Sequence, residues 1–317
     1  MVREILPNVY LNKVPLPKNP LKVLNSYIIC AGEDALVIDT GFNLPECREA
    51  FRSGLKELNV DPAKTRLVLT HMHADHAGLA DELIDAGATA HMGKRDLEHF
   101  TGLAAQPGEM FRQLKKHMDL RIGLTSMGYT GFGQREYQPL AEGDVFEIGP
   151  YRLQVIDIPG HTPGQIGLFE RDLGLFFCGD HILDEITPNI ISWGLGNDYL
   201  GMYLNSLQKI YHWDINLLLT GHRKLVSNHC RRIDELTAHH HVRLDEVREI
   251  LRSGEHTASG SAAKMRWDLT IVDWEKFPDR QKWFASGEAM AHLEHLVYLG
   301  EAERVDRDGF LSYSLKS

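Results

Sequence analysis

Thr70-His71-Met72-His73-Ala74-Asp75-His76 packs three histidines and an aspartate into six positions. Neutral imidazole and carboxylate are good ligands for zinc, iron or manganese. In an extended segment side chains alternate with period two, so His71 and His73 point the same way. Asp75 and His76 then fall on the turn into a helix and can face the same cavity. Further histidine- and aspartate-bearing segments follow at apparent strand ends: Pro159-Gly-His161-Thr-Pro-Gly, Phe177-Cys-Gly-Asp180-His181 and Leu219-Thr-Gly-His222. The chemistry this supports is metal-assisted hydrolysis, and no G-x-S-x-G nucleophile elbow competes with it.

Such a cluster needs a rigid frame. Ser26–Cys30 and Ala35–Asp39 read as neighbouring strands, with the turn at Gly32. Leu44–Leu58 reads as a helix, Arg66–Thr70 as a strand, and His76–Ala86 as a helix stopped by Gly87. Tyr151–Ile158, Gln165–Phe169, Gly174–Cys178 and Ile215–Thr220 read as a second set of strands. Strands mixed with helices in both halves predict a layered αββα arrangement. Residues 94–138 form a lid-like insertion, helix-like around Glu109–Leu124. The period of Ile233, Leu236, His240, Leu244, Val247 and Leu251 predicts one long helix over Arg231–Arg252. Beyond it, helical stretches at His256–Met265 and Ser286–Leu299 precede a hairpin that turns at Asp306–Gly309. The chain thus divides into 1–228, a connecting helix at 229–253, and a small unit at 254–317.

The H-x-H-x-D-H segment with its three later partners resembles the metallo-β-lactamase superfamily, and the resemblance covers most of residues 20–225. It implies an αββα sandwich and a hydrolase with two divalent ions, zinc foremost, iron or manganese also suitable. His71, His73 and His161 would hold the first ion, and Asp75, His76 and His222 the second. Asp180 would bridge them, with a hydroxide shared between the ions. Asp39 matches an aspartate that hydrogen-bonds behind the ligands. Asp180 and Asp75 would be the catalytic carboxylates, Asp75 or a coordinated water returning a proton to the leaving group. The familiar β-lactamases of the family have arginine in place of His76 and cysteine in place of Asp180, so penicillin hydrolysis is not implied. The flavodiiron branch has glutamate where this chain has His73. The ligand set is most similar to the glyoxalase II, ribonuclease Z and lactonase branches. The tail resembles the winged-helix extension of some hydrolases of this fold, an endoribonuclease branch among them.

These readings lead to hydrolysis of a small ester, thioester or lactone. The alternatives are a phosphodiesterase or endoribonuclease, and a metal-bound sensor without turnover. Arg112, Lys115 and Lys116 in the insertion are candidates to hold an anionic part of the substrate, against the plainer reading of a solvated helix face. Phe111, Met118, Met127, Tyr129 and Phe132 are candidates for an acyl pocket, against ordinary packing. His240 falls on the apolar stripe of its helix and is expected at an interface, not on a metal.

Composition narrows the partners. The 317-residue chain carries a formal charge of −10, and from His256 onward eight basic residues face ten acidic ones. Duplex DNA is therefore not an expected partner, because phosphate tracking needs a basic surface. The first thirty residues lack a signal-peptide core, and no apolar run is long enough to span a bilayer. The four cysteines form no framework. Reduced thiols, a cytoplasmic location and a possible homodimer are the expectations.

Overall fold

The computed structural model describes residues 2–105, 108–123, 133, 135–268 and 273–316. Its first sheet comprises Val2–Leu6 (β1), Val9–Pro15 (β2), Val23–Ala31 (β3), Asp34–Ile38 (β4), Thr65–Leu69 (β5), Thr89–Gly93 (β6) and Gln138–Leu140 (β7), hydrogen-bonded in that order. β1 to β4 pair antiparallel and β4 to β7 parallel. The second comprises Val145–Ile148 (β8), Tyr151–Asp157 (β9), Ile166–Glu170 (β10), Leu175–Gly179 (β11) and Leu217–Thr220 (β12), ordered β12-β11-β10-β9-β8. Only β11 and β12 run parallel in it.

Period-two alternation explains why the sheets stack. Tyr27, Ile29, Leu36, Ile38 and Val68 of the first sheet share one apolar core with Leu153, Val155, Ile166, Leu168, Phe177 and Leu219 of the second. Their neighbours Ile28, Val37 and Leu67 point the other way, into a core shared with helical residues. Pro45–Glu57 (α1) contributes Phe51 and Leu55 to that outer layer. Its first helical residue is Pro45, whose fixed φ and missing N–H suit that position. Ala74–Ala77 (α2) and Ala80–Asp85 (α3) follow β5. The insertion carries Lys94–Ala105 (α4) and Glu109–His117 (α5). Tyr199–Ile210 (α6) covers the second sheet through Leu200, Tyr203 and Leu207. The result is the αββα sandwich that the sequence predicts.

His229–Arg252 (α7) is the expected long helix, capped by the Asn228 side chain, which accepts from Arg231 N at 3.0 Å. Ala258–Ala262 (α8), Asp279–Tyr298 (α9) and a small sheet of His256–Thr257 (β13), Ala302–Arg307 (β14) and Phe310–Leu315 (β15) complete the chain. α9 packs on α6, α7 and α8. No described helix is long and apolar enough to cross a membrane. All four cysteines are free thiols.

Several expected elements change shape. The helix expected over His76–Ala86 is two, α2 and α3, broken at Gly78, where an added Cβ would meet the Gly41 carbonyl at 2.7 Å. The close approach of the two backbones takes precedence over helix propensity there. α5 stops at His117 because Asp119 adopts a left-handed φ of 51°. α9 begins at Asp279, before the predicted Ser286, since its first turns bury Trp283 and Ala285. His256–Thr257 pairs with β15 instead of starting a helix.

Candidate metal centre

Each proposed ligand lies just beyond the C-terminal end of a strand: the His71–His76 segment after β5, His161 after β9, Asp180 after β11 and His222 after β12. The two sheets are tied together at this end. Asn25 N donates to the Gly221 carbonyl at 2.7 Å, Tyr27 Oη to the Thr220 carbonyl at 2.7 Å, and Ile166 N to the Thr70 carbonyl at 2.9 Å. Strand ends locked across the sandwich can therefore hold side chains from distant segments in register.

The donors form three overlapping groups whose ligand atoms lie within 4.8 Å of one another: His71, His73 and His161; His71, His76 and Asp180; and Asp75, His76 and His222. His73 Nδ1 stands 2.9 Å from both His71 Nε2 and His161 Nε2. His76 Nε2 stands 3.2 Å from His222 Nε2. Asp180 lies between the two triads. Its Oδ2 is 3.4 Å from His222 Nε2 and 3.9 Å from His161 Nε2, and its Oδ1 is 3.5 Å from His76 Nε2.

The surroundings fix which ring nitrogen is offered. His161 Nδ1 donates to the Asn189 carbonyl at 2.9 Å, and His222 Nδ1 to the Val23 carbonyl at 2.8 Å. His76 Nδ1 meets Asp39 Oδ2 at 2.8 Å, and His71 Nδ1 meets Thr70 Oγ1 at 3.1 Å. With the outer nitrogen protonated, the lone pair of each Nε2 turns inward, the usual outer-partner arrangement of metal-binding histidines. Asp39 lies on the outer side of His76. Besides His76 it accepts from Thr70 N and Thr70 Oγ1, both at 2.8 Å, and it adopts a left-handed φ of 61° to do so.

The donor set fits divalent cations. Lone pairs of several neutral imidazoles converge, and Asp180 Oδ1 is buried with no hydrogen-bond partner. A Cβ added at Gly221 would press on that same oxygen and lie 2.8 Å from His76 Cε1, so the chain leaves the space beside the cluster open.

The two triads differ in charge. Burial and the neighbouring imidazoles push His71 well below the usual histidine range and His73 down to about 3, and burial lowers His161 as well. At the second triad burial acts in the same sense but is outweighed. Asp39 and Asp180 raise His76, and Asp180 and Asp75 raise His222 to about 9. Burial alone would raise the carboxyls, yet hydrogen bonds and charge from these imidazoles hold Asp75 at about 2 and Asp180 well below the carboxylate range. A cation entering the Asp75–His76–His222 triad must therefore displace protons, whereas the first triad is already neutral. Metal affinity at the second triad should rise with pH at least as far as about 9, where His222 loses its proton, and at the first it should be flat above about pH 6.5. Calorimetric titration of the metal-free chain in buffers of different ionisation enthalpy checks this. Equal proton release at both steps would refute it.

Sequence reasoning missed Asp96, inside the 94–138 insertion. It is fully buried and accepts from Met72 N (3.0 Å), Thr162 Oγ1 (2.7 Å) and Gly164 N (2.5 Å). One carboxylate thus ties the His71–His73 loop to the His161 loop. Burial pushes it up to about 6, against the pull of these hydrogen bonds. No local signal could reveal it, because its partners lie 24 to 68 residues away. Trp193 was also missed. Its ring tilts over His73 at 5.6 Å, and its Nε1 donates to the His161 carbonyl at 3.1 Å.

The basic run lies on α5. Arg112 pairs with Glu109 at 2.5 Å, Lys115 Nζ donates to the Ile122 carbonyl at 2.6 Å, and Lys116 lies over the Phe310 ring at 5.3 Å. These partners belong to α5, the turn after it and the C-terminal hairpin, not to the histidine cluster. Phe111 stacks on Trp283 at 4.2 Å and Met118 is fully buried, so both are core rather than pocket wall. Met127, Tyr129 and Phe132 lie outside the described residues. His181 is buried against Tyr203, and His240 meets His292 at 3.2 Å between α7 and α9.

Residues 21–222 match the model of the metallo-beta-lactamase superfamily, and residues 275–316 that of a metallo-beta-lactamase-like C-terminal domain. The chain belongs to this superfamily and is a hydrolase of its fold, with histidine–aspartate clusters suited to divalent metals. It is 28% identical to the acyl-coenzyme A thioesterase MBLAC2 of Homo sapiens over 210 residues, 62% of this chain and 72% of that protein. It is 22% identical to an atrochrysone carboxyl ACP thioesterase of Emericella nidulans over 213 residues, 67% of this chain and 55% of that one. A crystal structure of a metallo-beta-lactamase family protein from Thermus thermophilus superposes with a TM-score of 0.85 at 25% identity, covering 99% of this chain and 100% of that one.

Proposed function

We propose that the chain hydrolyses a small acyl thioester, within the broader class of esters, thioesters and lactones, at a centre of two divalent ions. The observation that carries this reading is Asp180, whose Oδ2 lies within 4 Å of ligand nitrogens of both triads. His71, His73 and His161 would hold one ion, Asp75, His76 and His222 the other, and Asp180 both. Zinc suits these donors best, with iron and manganese compatible. When bound, such a pair supplies a nucleophile at neutral pH and a positive field for the oxyanion. The thioester preference draws support from the two thioesterases that the chain is similar to.

The chain's own groups shape the site. His73, Ala74 and Asp75 form the partly exposed edge of an otherwise buried cluster, so the scissile bond approaches there. Asp75 keeps an ionised carboxylate at that edge, and in this reading it or a coordinated water would return a proton to the leaving group. The Trp193 ring packs against His73. Within the same reading, residues 254–317 form a winged-helix-like unit, and the protein works in the cytoplasm on a small molecule.

Reconstitution with zinc, iron or manganese should give two equivalents of metal per chain. The loaded enzyme should turn over acyl-coenzyme A thioesters faster than lactones, phosphodiesters or RNA. Two bound metals with RNA cleaved and every thioester untouched would refute the substrate class. No bound metal with any of the three would refute the centre itself.

A further inference from the structure

The segment between β11 and α6 has no regular secondary structure, yet it touches the centre twice. The Asn189 carbonyl receives the Nδ1 proton of His161, and Trp193 binds the His161 carbonyl while covering His73. A carbonyl in an irregular segment has no strand ladder to hold its direction, so its support must come from elsewhere.

That support comes from the C-terminal helix α9. Asn189 Nδ2 donates to Glu288 Oε2 at 3.0 Å, and Ser192 N donates to the Gly287 carbonyl at 3.2 Å. Gly287 lets the helix backbone approach so closely that an added Cβ would lie 2.9 Å from Ile191 Cγ2. Glu288 is itself held by Arg243 Nε of α7 at 3.3 Å. Arg243 also bonds Glu246 and the Arg266 carbonyl, both at 2.6 Å, and lies 4.3 Å over the Trp267 ring. Ile191, Ser192, Arg243 and Glu288 are all buried, so these contacts are insulated from competing water.

We propose that Gly287 and Glu288 are positioning residues of the metal centre: through the 189–193 segment, the C-terminal part of the chain sets the direction and tautomer of His161. This inference rests on the two-ion reading for its purpose, but not for its geometry. It gives the C-terminal helix a role in a site to which it contributes no ligand.

The test uses the full chain and three variants: Glu288→Leu, Glu288→Gln and Gly287→Ala. Leu293→Ala, in the buried core of α9, serves as the stability control. Two readouts are taken: zinc affinity against a competing chelator, and the imidazole ¹⁵N–¹H NMR correlations of the metal-free chain. Glu288→Leu should weaken zinc at the His161 site by roughly 10-fold or more, as loss of a ligand's outer partner does. It should also remove the Nδ1-protonated signature of His161. Glu288→Gln can still accept from Asn189 and should recover most of both. Gly287→Ala, milder and expected to fold, should shift both readouts in the same direction by less. Leu293→Ala should lower the unfolding temperature and move neither. Wild-type zinc affinity and an unchanged His161 signature in both Glu288→Leu and Gly287→Ala would overturn the proposal. So would an equal loss in Leu293→Ala. If the wild-type chain bound no zinc, the two-ion reading would fall, while the NMR comparison would still decide the brace.

Discussion

Asp180→Ala is expected to reduce turnover by on the order of 10³-fold or more, because it removes the carboxylate that, among the described residues, faces both triads. Its loss also takes from His76 and His222 one of the two carboxylates beside each, since Asp180 is 3.5 Å from the first and 3.4 Å from the second. Metal content should fall below two equivalents, with the second site emptied first. Asp39→Ala makes the informative contrast. Asp39 touches His76 only at its outer nitrogen, so its removal should cost about 10–100-fold in affinity or activity. Parallel kinetic and metal analyses of the two variants check the ranking. An Asp180→Ala enzyme that keeps full activity, or an Asp39→Ala enzyme more damaged than it, would show that the bridge is misassigned.

Asp96→Ala should combine a stability loss with a functional one. Its carboxylate satisfies three donors from two loops, and at zero exposure water cannot replace it. Stranding those three donors should cost about 3–9 kcal/mol, given roughly 1–3 kcal/mol for each buried group left unpaired. For a chain of this size that corresponds to a fall in Tm on the order of 10 °C. Activity measured well below the new Tm should still be about 10–100-fold low, because the His71–His73 and His161 loops lose their common anchor. Asp96→Asn should be intermediate, with an amide NH₂ facing either Gly164 N or the Met72 and Thr162 donors. Thermal unfolding followed by kinetics at a permissive temperature separates the two effects. A variant that is destabilised but fully active when cold would make Asp96 a fold residue only.

Legibility in the sequence followed the range of the interactions. The outward- and inward-facing residues of β3 and β4 alternate at Tyr27, Ile28, Ile29 and at Leu36, Val37, Ile38, and that local periodicity is readable without a partner. The α7 stripe through Ile233, Leu236 and Leu244 is local in the same way. α6 escaped notice although Asp198 caps it, accepting from Gly201 N at 2.8 Å, because small and polar residues interrupt its apolar pattern. The helix break at Gly78 and the contacts of Arg112, Lys115 and Lys116 escaped for another reason. Both depend on what packs against them, Gly41 in the first case and the Phe310 hairpin in part of the second.

The sequence by itself determined the kind of chemistry: donor types, their crowding between Thr70 and His76, and later donors at strand ends, hence a hydrolase of this superfamily with a metal-binding cluster. It also determined the alternation that makes two sheets stack. Tertiary structure alone decided how the donors share space. His76 and His222 are 146 residues apart in the chain and 3.2 Å apart across the sandwich. The chain order of ligands says nothing about which nitrogen points inward. That is set by the Asn189 and Val23 carbonyls and by Asp39, which are brought to the rings by other strands and loops. Asp96 and Glu288 belong to the same class. A buried carboxylate takes its role from the donors that packing delivers to it, and those donors are fixed only when the loops and the C-terminal helix have closed around it.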